Sequence, residues 1–177
     1  MQRIGIIGAM AQEVNILAGQ LDNAERYEHA GFVFHTGTRH GLEVIILQSG
    51  IGKVNAAVGT AILLERHQPD AIINTGSAGG FATDLAIGDV IISDEVRHHD
   101  VDAVVFGYEL GQVPGMPAAY HADSRLRDIA RGAIAALGEV NVREGMIATG
   151  DAFMADPEWQ RVWDASKKEA GGPIVTK

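Results

Sequence analysis

Apolar and polar positions form short blocks along the chain, and the periods of these blocks predict an α/β fold. "RIGIIG" at 3–8 is an Ile-rich apolar run closed by glycine, which is typical of a strand buried on both faces. Over 11–21 the apolar positions follow helical spacing, so we expect a helix directly after this strand. "GFVFHTGT" and "LEVIILQS" flank a short connection at 39–41 and predict a hairpin, which brings antiparallel pairing into the sheet.

The remaining blocks extend this pattern of strands and helices. "SGIGKVNAAVGTAILLERHQP" passes from a strand through two glycines into a helix that is apolar on most faces, so we expect that helix to be buried. "DAIINTGSAGG", "GDVIISDEV" and "EGMIATGDAF" each contain a β-rich run, and Asp123 is suited to cap a helix with an apolar stripe over 126–137. Residues 106–121 are expected to form a long structured loop, and a last helix is predicted from Pro157.

Length and composition limit what such a fold can do. A chain of 177 residues with 46% apolar content supports one substantial core, so we expect a single domain spanning 1–177. A net charge of -9, without a cluster of Lys and Arg, argues against binding to nucleic acid or to an anionic membrane. Glu13 interrupts the N-terminal apolar stretch too early for a signal peptide, which favours a cytoplasmic protein. Because the chain has no cysteine, its chemistry must come from carboxylates, histidines, serines and the backbone.

Two glycine loops partly match three known sequence motifs, but neither loop meets the requirements of any of them. "SGIGKVN" fails the Walker pattern because Leu47 stands at the first glycine and Val54 at the Ser/Thr that binds magnesium. It fails the dinucleotide fingerprint because Asn55 stands at the third glycine. Around Ser77 the nucleophile-elbow pattern fails because Thr75 occupies its first position. What remains is a set of strands that end in small residues, with backbone N–H groups and one hydroxyl facing a crevice where α/β proteins bind ligands.

The segment "RHHDVD" contains four side chains that could ligate a metal: His98, His99, Asp100 and Asp102. If the segment is extended, the two adjacent histidines point to opposite faces and cannot share one ion. We therefore expect no metal site here.

Six blocks together give a resemblance to a known family. "IGIIGAM..E", "SGIGK", "INTGSAGG", "GDVIISDEVRHHD", "FGYELGQVPG" and "ATGDAF" occur in the order seen in 5'-methylthioadenosine/S-adenosylhomocysteine nucleosidases, over residues 3–154. The resemblance implies a nucleoside phosphorylase-like, three-layer α/β/α fold around a central mixed sheet, a homodimer, and no metal or organic cofactor. It also implies hydrolysis of the N-glycosidic bond to adenine and a thioribose. The alternatives are a purine nucleoside phosphorylase, a nucleotide nucleosidase, or a catalytically weak nucleoside-binding protein.

The residues near the first loop favour hydrolysis over phosphorolysis. A phosphorylase of this type would use cationic side chains to hold phosphate, whereas this chain has Glu13 after the first strand and Asn74 before the Gly-Ser pair. Glu13 is suited to take a proton from the water that attacks the sugar carbon, through an oxocarbenium-like transition state. The resemblance gives its matching Glu the same role. The alternative is that Glu13 only stabilises a helix N-terminus, which contributes a few tenths to about 1 kcal/mol.

The resemblance also implies which residues contact the substrate. Those on the side of the ribose and its thio-substituent are Ala9, Met10 and Ile51. Those beneath the sugar and the base are Ser77, Ala78 and Gly79. Phe153 is expected to stack on adenine, beside backbone contacts from Met154, with ordinary core packing as the alternative for Phe153. Residues expected to reach the site of a dimer partner are Phe106, Tyr108 and Pro114, with a simple surface loop as the alternative.

The sequence departs from the family pattern after "GDAF". The family continues with a strand that carries a Met-Glu pair for the ribose hydroxyls and then with a Ser-Asp pair whose Asp protonates adenine. No Met-Glu dipeptide occurs in these 177 residues, and Ser93 and Asp94 belong to the earlier "VIISDE" block. We therefore expect a domain that is truncated at its C-terminus relative to the family.

Overall fold

The computed structural model describes residues 2–82, 84–138, 140–154 and 175–176. The chain divides into two compact units, Met1–Ser77 and Ala78–Lys177. The described strands of each unit form a five-stranded mixed sheet. Mixed sheets with helices confirm the predicted α/β class, while a single domain over 1–177 stays a prediction.

The sheet of the first unit has the strand order β2-β3-β4-β1-β5. Strand β1 (Arg3–Gly8) lies between β4 (Leu42–Gln48) and the edge strand β5 (Ala71–Asn74) and pairs in parallel with both. An antiparallel meander of β2 (Asp22–His29) and β3 (Phe32–Arg39) continues the sheet beyond β4. The predicted hairpin is confirmed as the pair β3 and β4.

Two helices cover opposite faces of this sheet and give the unit three layers. On one face, α1 (Ala11–Ala18) buries Val14 against Ile46 of β4. On the other face, α2 (Lys53–His67) buries Leu63 among aliphatic and aromatic side chains of β1, β3 and β4. Full burial of one such side chain stabilises the fold by about 1.5–3 kcal/mol. The side chains of each strand alternate between these two cores, which explains why β4 is apolar at consecutive positions.

Three expectations for this unit need correction. The helix after β1 ends at Ala18 rather than near residue 21. Strand β2 was not predicted, because an edge strand reading "DNAERYEH" carries no apolar alternation. The prediction that α2 is buried was wrong for this chain: Val54 is 73% exposed and Leu64 is 47% exposed, since only the stripe around Gly59 and Leu63 faces the sheet.

The sheet of the second unit has the strand order β6-β10-β9-β7-β8. Its longest strands, β7 (Val90–His98) and β9 (Val142–Thr149), pair in parallel. β8 (Tyr120–His121) runs antiparallel to β7. β10 (Val175–Thr176) pairs in parallel with β9 and antiparallel with β6 (Gly79–Gly80).

A helix and a long loop complete what the structure describes of this unit. Helix α3 (Ser124–Ala135) begins after Asp123, whose side chain accepts a hydrogen bond from the backbone N–H of Leu126 at 2.9 Å. This confirms the predicted cap. The predicted loop contains the end of a 3-10 helix (Val104–Phe106) and then β8, with irregular backbone between them. The helix predicted from Pro157 lies outside the described residues. Within the described residues, every helix is too short or too polar to cross a membrane.

Candidate active site

The candidate site lies where the three parallel strands of the first unit end side by side. Gly8 at the end of β1 is in register with Gln48 of β4, and Ile7 is in register with Asn74 of β5. The loops that follow these strands therefore start at the same edge of the sheet. This edge is where ligands usually bind in α/β proteins.

Backbone hydrogen bonds join these three loops at their first residues. Ser49 N donates to the carbonyl of Gly8 at 2.9 Å, and Gly50 N donates to that of Ala9 at 3.0 Å. Thr75 N donates to the carbonyl of Ile7 at 2.9 Å. The sheet ladder thus continues for one or two residues past the strands and fixes the starting direction of each loop.

Glu13 connects two of these loops through its carboxylate. Oε2 accepts hydrogen bonds from the backbone N–H groups of Ala9 at 2.8 Å and Met10 at 3.0 Å. Oε1 accepts hydrogen bonds from the backbone N–H of Ser77 at 2.9 Å and from its hydroxyl at 3.2 Å. Four donors directed at two oxygens match an ionised carboxylate, which only accepts hydrogen bonds. The structure thus brings together Glu13, Ala9, Met10 and Ser77 from the predicted set.

The alternative role of Glu13 at a helix start accounts for only part of this geometry. Glu13 lies in the first turn of α1, and its bond from Met10 N resembles the Glu contact of a capping box. The two bonds from Ser77 come from residue 77, which is distant in the sequence, and a helix cap does not require them. The carboxylate is therefore held in one place by two segments of the chain.

Two polar side chains that the sequence did not single out as site residues support the loop at 49–52. Ser49 is 5% exposed, and its hydroxyl donates to the carbonyl of Gly50 at 2.9 Å. Asn55 Nδ2 donates to the carbonyl of Ile51 at 2.7 Å. Small polar side chains in glycine loops often bond to nearby backbone, and this was the available signal. These bonds order the backbone at Gly50 and Ile51, and Ile51 is 72% exposed.

The remaining predicted site residues belong to the second unit. Ala78 begins it, and Gly79 lies in β6. Phe153 and Met154 follow the end of β9. Phe153 is 95% exposed, so the alternative that it is a core residue of this chain was wrong.

The loop with Phe106, Tyr108 and Pro114 is ordered by backbone hydrogen bonds, although Phe106 and Pro114 are exposed and Tyr108 is half-buried. Phe106 is 78% exposed, at the end of the 3-10 helix. Gly111 N donates to the carbonyl of Val101 at 2.9 Å, and Gln112 N donates to that of Glu109 at 3.0 Å. The loop therefore holds an apolar surface in a defined backbone conformation.

An ion pair ties this loop to the sheet of the second unit. Arg97 Nε donates to Glu95 in β7 at 2.6 Å, and another guanidinium nitrogen donates to Glu109 in the loop at 3.0 Å. Burial opposes the charge of Arg97, but the bonds to Glu95 and Glu109 outweigh burial and raise the pKa of Arg97 above its usual value. The side chains of Arg97 and Glu95 are 13% and 19% exposed, whereas that of Glu109 is 61% exposed, so water screens the pair within β7 less than the contact to the loop.

The histidine-rich segment follows the predicted extended course as far as His98, where β7 ends. Asp100 beyond it accepts a hydrogen bond from the backbone N–H of Asp151 at 2.9 Å. Among the described residues, no group of three or more His, Asp or Glu side chains has an arrangement that could hold a metal ion.

Comparison with known proteins identifies the class to which this fold and site belong. Residues 3–169 match the family described as the Phosphorylase superfamily, so the chain is a member of that superfamily. Within the superfamily it belongs to the 5'-methylthioadenosine/S-adenosylhomocysteine nucleosidase family, as the resemblance predicted. The nucleosidase of Chromohalobacter salexigens is 67% identical over 156 residues, which cover 88% of this chain and 66% of that protein. The nucleosidase of Bacillus subtilis is 56% identical over 156 residues, which cover 88% of this chain and 68% of that protein.

Solved structures of the same family have the same fold. The nucleosidase of Colwellia psychrerythraea in complex with adenine has a TM-score of 0.90 at 45% identity, covering 99% of this chain and 73% of that chain. The Neisseria meningitidis nucleosidase in complex with methylthio-immucillin-A has a TM-score of 0.93 at 36% identity, covering 100% and 77%. These likenesses confirm the predicted nucleoside phosphorylase-like fold. The alignment with the Chromohalobacter relative spans slightly less than two thirds of that protein's length.

Proposed function

We propose that this protein hydrolyses the N-glycosidic bond of 5'-methylthioadenosine and S-adenosylhomocysteine and releases adenine and the thioribose. The observation that carries the proposal is the Glu13 carboxylate, held by four donors at the edge of the sheet where ligands bind. Relatives named for this activity, and a related structure in complex with adenine, support the choice of substrate.

In the proposed reaction Glu13 acts as the general base. As the bond from the sugar carbon to adenine breaks, its electron pair goes to adenine and the sugar gains oxocarbenium character. A water molecule forms the new carbon–oxygen bond and gives one proton to Glu13, while the leaving adenine takes up a proton from solvent. Loss of the proton from Glu13 to solvent restores the carboxylate and balances the reaction. The donors on Glu13 supply orientation, because they keep the carboxylate in one position before the water is activated. The Ser-Asp dipeptide of this chain, Ser93-Asp94, belongs to the earlier "VIISDE" block and does not correspond to the family's Ser-Asp pair, whose Asp is expected to protonate adenine. The proposal therefore assigns a residue to the general-base role only.

The charge at this loop favours water over phosphate as the nucleophile. A phosphate beside the Glu13 carboxylate would place like charges close together, and at about 4 Å such a pair repels by about 4 kcal/mol near a protein surface. Asn74, at the end of β5, contributes an amide where a phosphate site would use a cation. A neutral water molecule is not repelled by the carboxylate and needs no cation to hold it.

The substrate contacts and the assembly are part of the same proposal. The ribose and thio-substituent lie against Ala9, Met10 and Ile51, and adenine stacks on Phe153. The full set of proposed contacts adds Ser77, Ala78, Gly79 and Met154, with Phe106, Tyr108 and Pro114 from the second subunit of a homodimer. Consecutive exposed apolar residues, Val105 at 85% and Phe106 at 78%, support a partner at this loop, because such surface is unusual on a protein that acts alone. The absence of cysteine is consistent with a cytoplasmic location.

The test is adenine release from 5'-methylthioadenosine, with and without inorganic phosphate, by the 177-residue chain and two variants. We expect phosphate-independent release that falls by at least about 10²-fold in Glu13→Gln, because the amide cannot accept a proton. The matched control is Glu43→Gln, which removes a carboxylate paired with Arg3 at 2.7 Å outside the site and should leave the rate unchanged. Phosphate-dependent release would favour a phosphorylase, and binding of the nucleoside without release would favour a nucleoside-binding protein.

A further inference from the structure

Gly8, the last residue of β1, lies directly behind the Glu13 side chain. A Cβ atom added to Gly8 would lie 3.2 Å from Glu13 Cβ and 3.6 Å from Glu13 Oε2. It would also lie 2.6 Å from Val14 Cγ1, well inside the roughly 3.5–4 Å at which carbon atoms pack favourably. Any side chain at this position would therefore occupy space that α1 and its carboxylate now use.

The need for glycine here is a need for space, not for an unusual backbone conformation. The φ angle of Gly8 is not among the positive values found at other glycines, such as Gly50 at 79° and Gly52 at 100°. Other residues could thus adopt the backbone of Gly8 without strain. Its carbonyl accepts the backbone N–H of Ser49 at 2.9 Å, so the position of Gly8 is also fixed from the side of the neighbouring loop.

We infer that Gly8 is a positioning residue for the reaction: the missing side chain lets α1 approach β1 closely enough for Glu13 to receive the hydrogen bonds of both loops. The inference rests on the proposed function for its catalytic consequence. Its geometric part, that Gly8 sets the place of the Glu13 carboxylate, stands on the contacts alone.

The direct test replaces Gly8 by Ala. We expect Glu13 to shift by a few tenths of an ångström away from the N–H groups of Ala9 and Met10. Because small displacements of a catalytic group cost rate, kcat should fall by about 10- to 100-fold while KM stays within about threefold. Since the new methyl group also meets Val14, the variant Gly8→Ala/Val14→Ala is measured beside Val14→Ala. The double variant removes the closest clash but keeps the contact with Glu13.

Two other glycines serve as controls. Gly59 in α2 is also crowded, although less than Gly8: an added Cβ would lie 3.0 Å from Leu47 and 3.1 Å from Phe32, on the opposite face of the sheet. Gly59→Ala should lower the melting temperature and leave kcat unchanged. At Gly132 in α3 an added Cβ would have nothing within 4 Å, so Gly132→Ala should lower neither the melting temperature nor kcat.

Amide hydrogen exchange gives a readout that does not depend on activity. The N–H groups of Ala9 and Met10 bond to Glu13 Oε2, so they should exchange faster in Gly8→Ala and in the double variant than in Val14→Ala or Gly59→Ala. If the double variant shows the same amide exchange at Ala9 and Met10 and the same kcat as Val14→Ala, the inference is overturned. If the unmodified chain releases no adenine, the proposed function fails, but exchange at Ala9 and Met10 still decides whether Gly8 positions Glu13.

Discussion

His67, at the end of α2, is a titratable residue that the proposed reaction does not use. Its Nε2 is hydrogen-bonded to the hydroxyl of Tyr27 at 2.6 Å, and the Tyr27 ring stacks on Phe34 with centroids 5.2 Å apart. Burial, and next the positive charge of Arg3, lower the pKa of His67 below its usual 6.5. This contact connects the edge strand β2 to the helix on the neighbouring layer.

The lowered pKa of His67 predicts how stability depends on pH. The unfolded chain binds a proton at His67 at a higher pH than the folded chain does, so the contribution of the neutral ring is complete above about pH 6.5. It is lost progressively as the pH falls through the lowered folded value. Urea unfolding at pH 7.5 and 5.5 should show a drop in the free energy of unfolding that is smaller in His67→Gln. The control His40→Asn, in an exposed turn, should show the same decrease in the free energy of unfolding as the unmodified chain. The same decrease in His67→Gln would mean that His67 does not cause this pH dependence.

At the scale of single residues, the sequence predicted carboxylate chemistry but not the side chains that support it. Glu13 stood out because it follows the first strand within one helical turn. Ser49 and Asn55 act through hydrogen bonds to backbone carbonyls, and no chemical motif requires those bonds. Gly8 could not be distinguished from a turn glycine, because its importance depends on the distance to a helix that only the folded chain sets.

At the scale of elements, the loop between β7 and β8 depends on a contact that the sequence did not reveal. Arg97 bonds to Glu95 within β7 and to Glu109 across the loop. The backbone bond from Gly111 N to Val101 O lies next to this contact in the chain. The ion pair therefore holds the segment on which Phe106 and Tyr108 are carried.

Loss of the Arg97 side-chain charge should loosen that loop locally. In Arg97→Met we expect the amides of Gly111 and Gln112 to exchange at least about tenfold faster, which corresponds to about 1.4 kcal/mol of local stability. The matched control is Arg131→Met on α3, which removes the ion pairs with Glu144 and Asp128. It should leave exchange at 111–112 unchanged. Unchanged exchange in Arg97→Met would mean that the backbone bonds alone order the loop.

The elements that were predicted correctly have a strong local pattern. The Ile-rich run of β1, the hairpin of β3 and β4, and the Asp123 cap of α3 were all found from periodicity and turn chemistry. The hairpin turn at His40 and Gly41 has φ angles of 51° and 78°, as a tight two-residue turn requires. β2 was missed because its charged side chains at a sheet edge leave no apolar alternation.

At the scale of the whole molecule, order along the sequence does not fix which strands pair. β7 pairs with β9 although a loop, β8 and α3 lie between them, and β1 pairs with β4 and β5 from later in the chain. Such pairing depends on packing between distant segments, which local patterns do not encode. Six motif blocks in a fixed order nevertheless predicted the family, because their joint occurrence is far more specific than any single glycine loop.

In the proposed reaction, water activated by Glu13 replaces adenine on the sugar. The most direct measurement is the reaction of 5'-methylthioadenosine with the 177-residue chain in ¹⁸O-labelled water containing phosphate, followed by mass spectrometry of the sugar product. We predict one ¹⁸O atom in a free thioribose and loss of this product in Glu13→Gln. A sugar phosphate would contradict the role of water, and labelled thioribose formed equally fast by Glu13→Gln would contradict the role of Glu13.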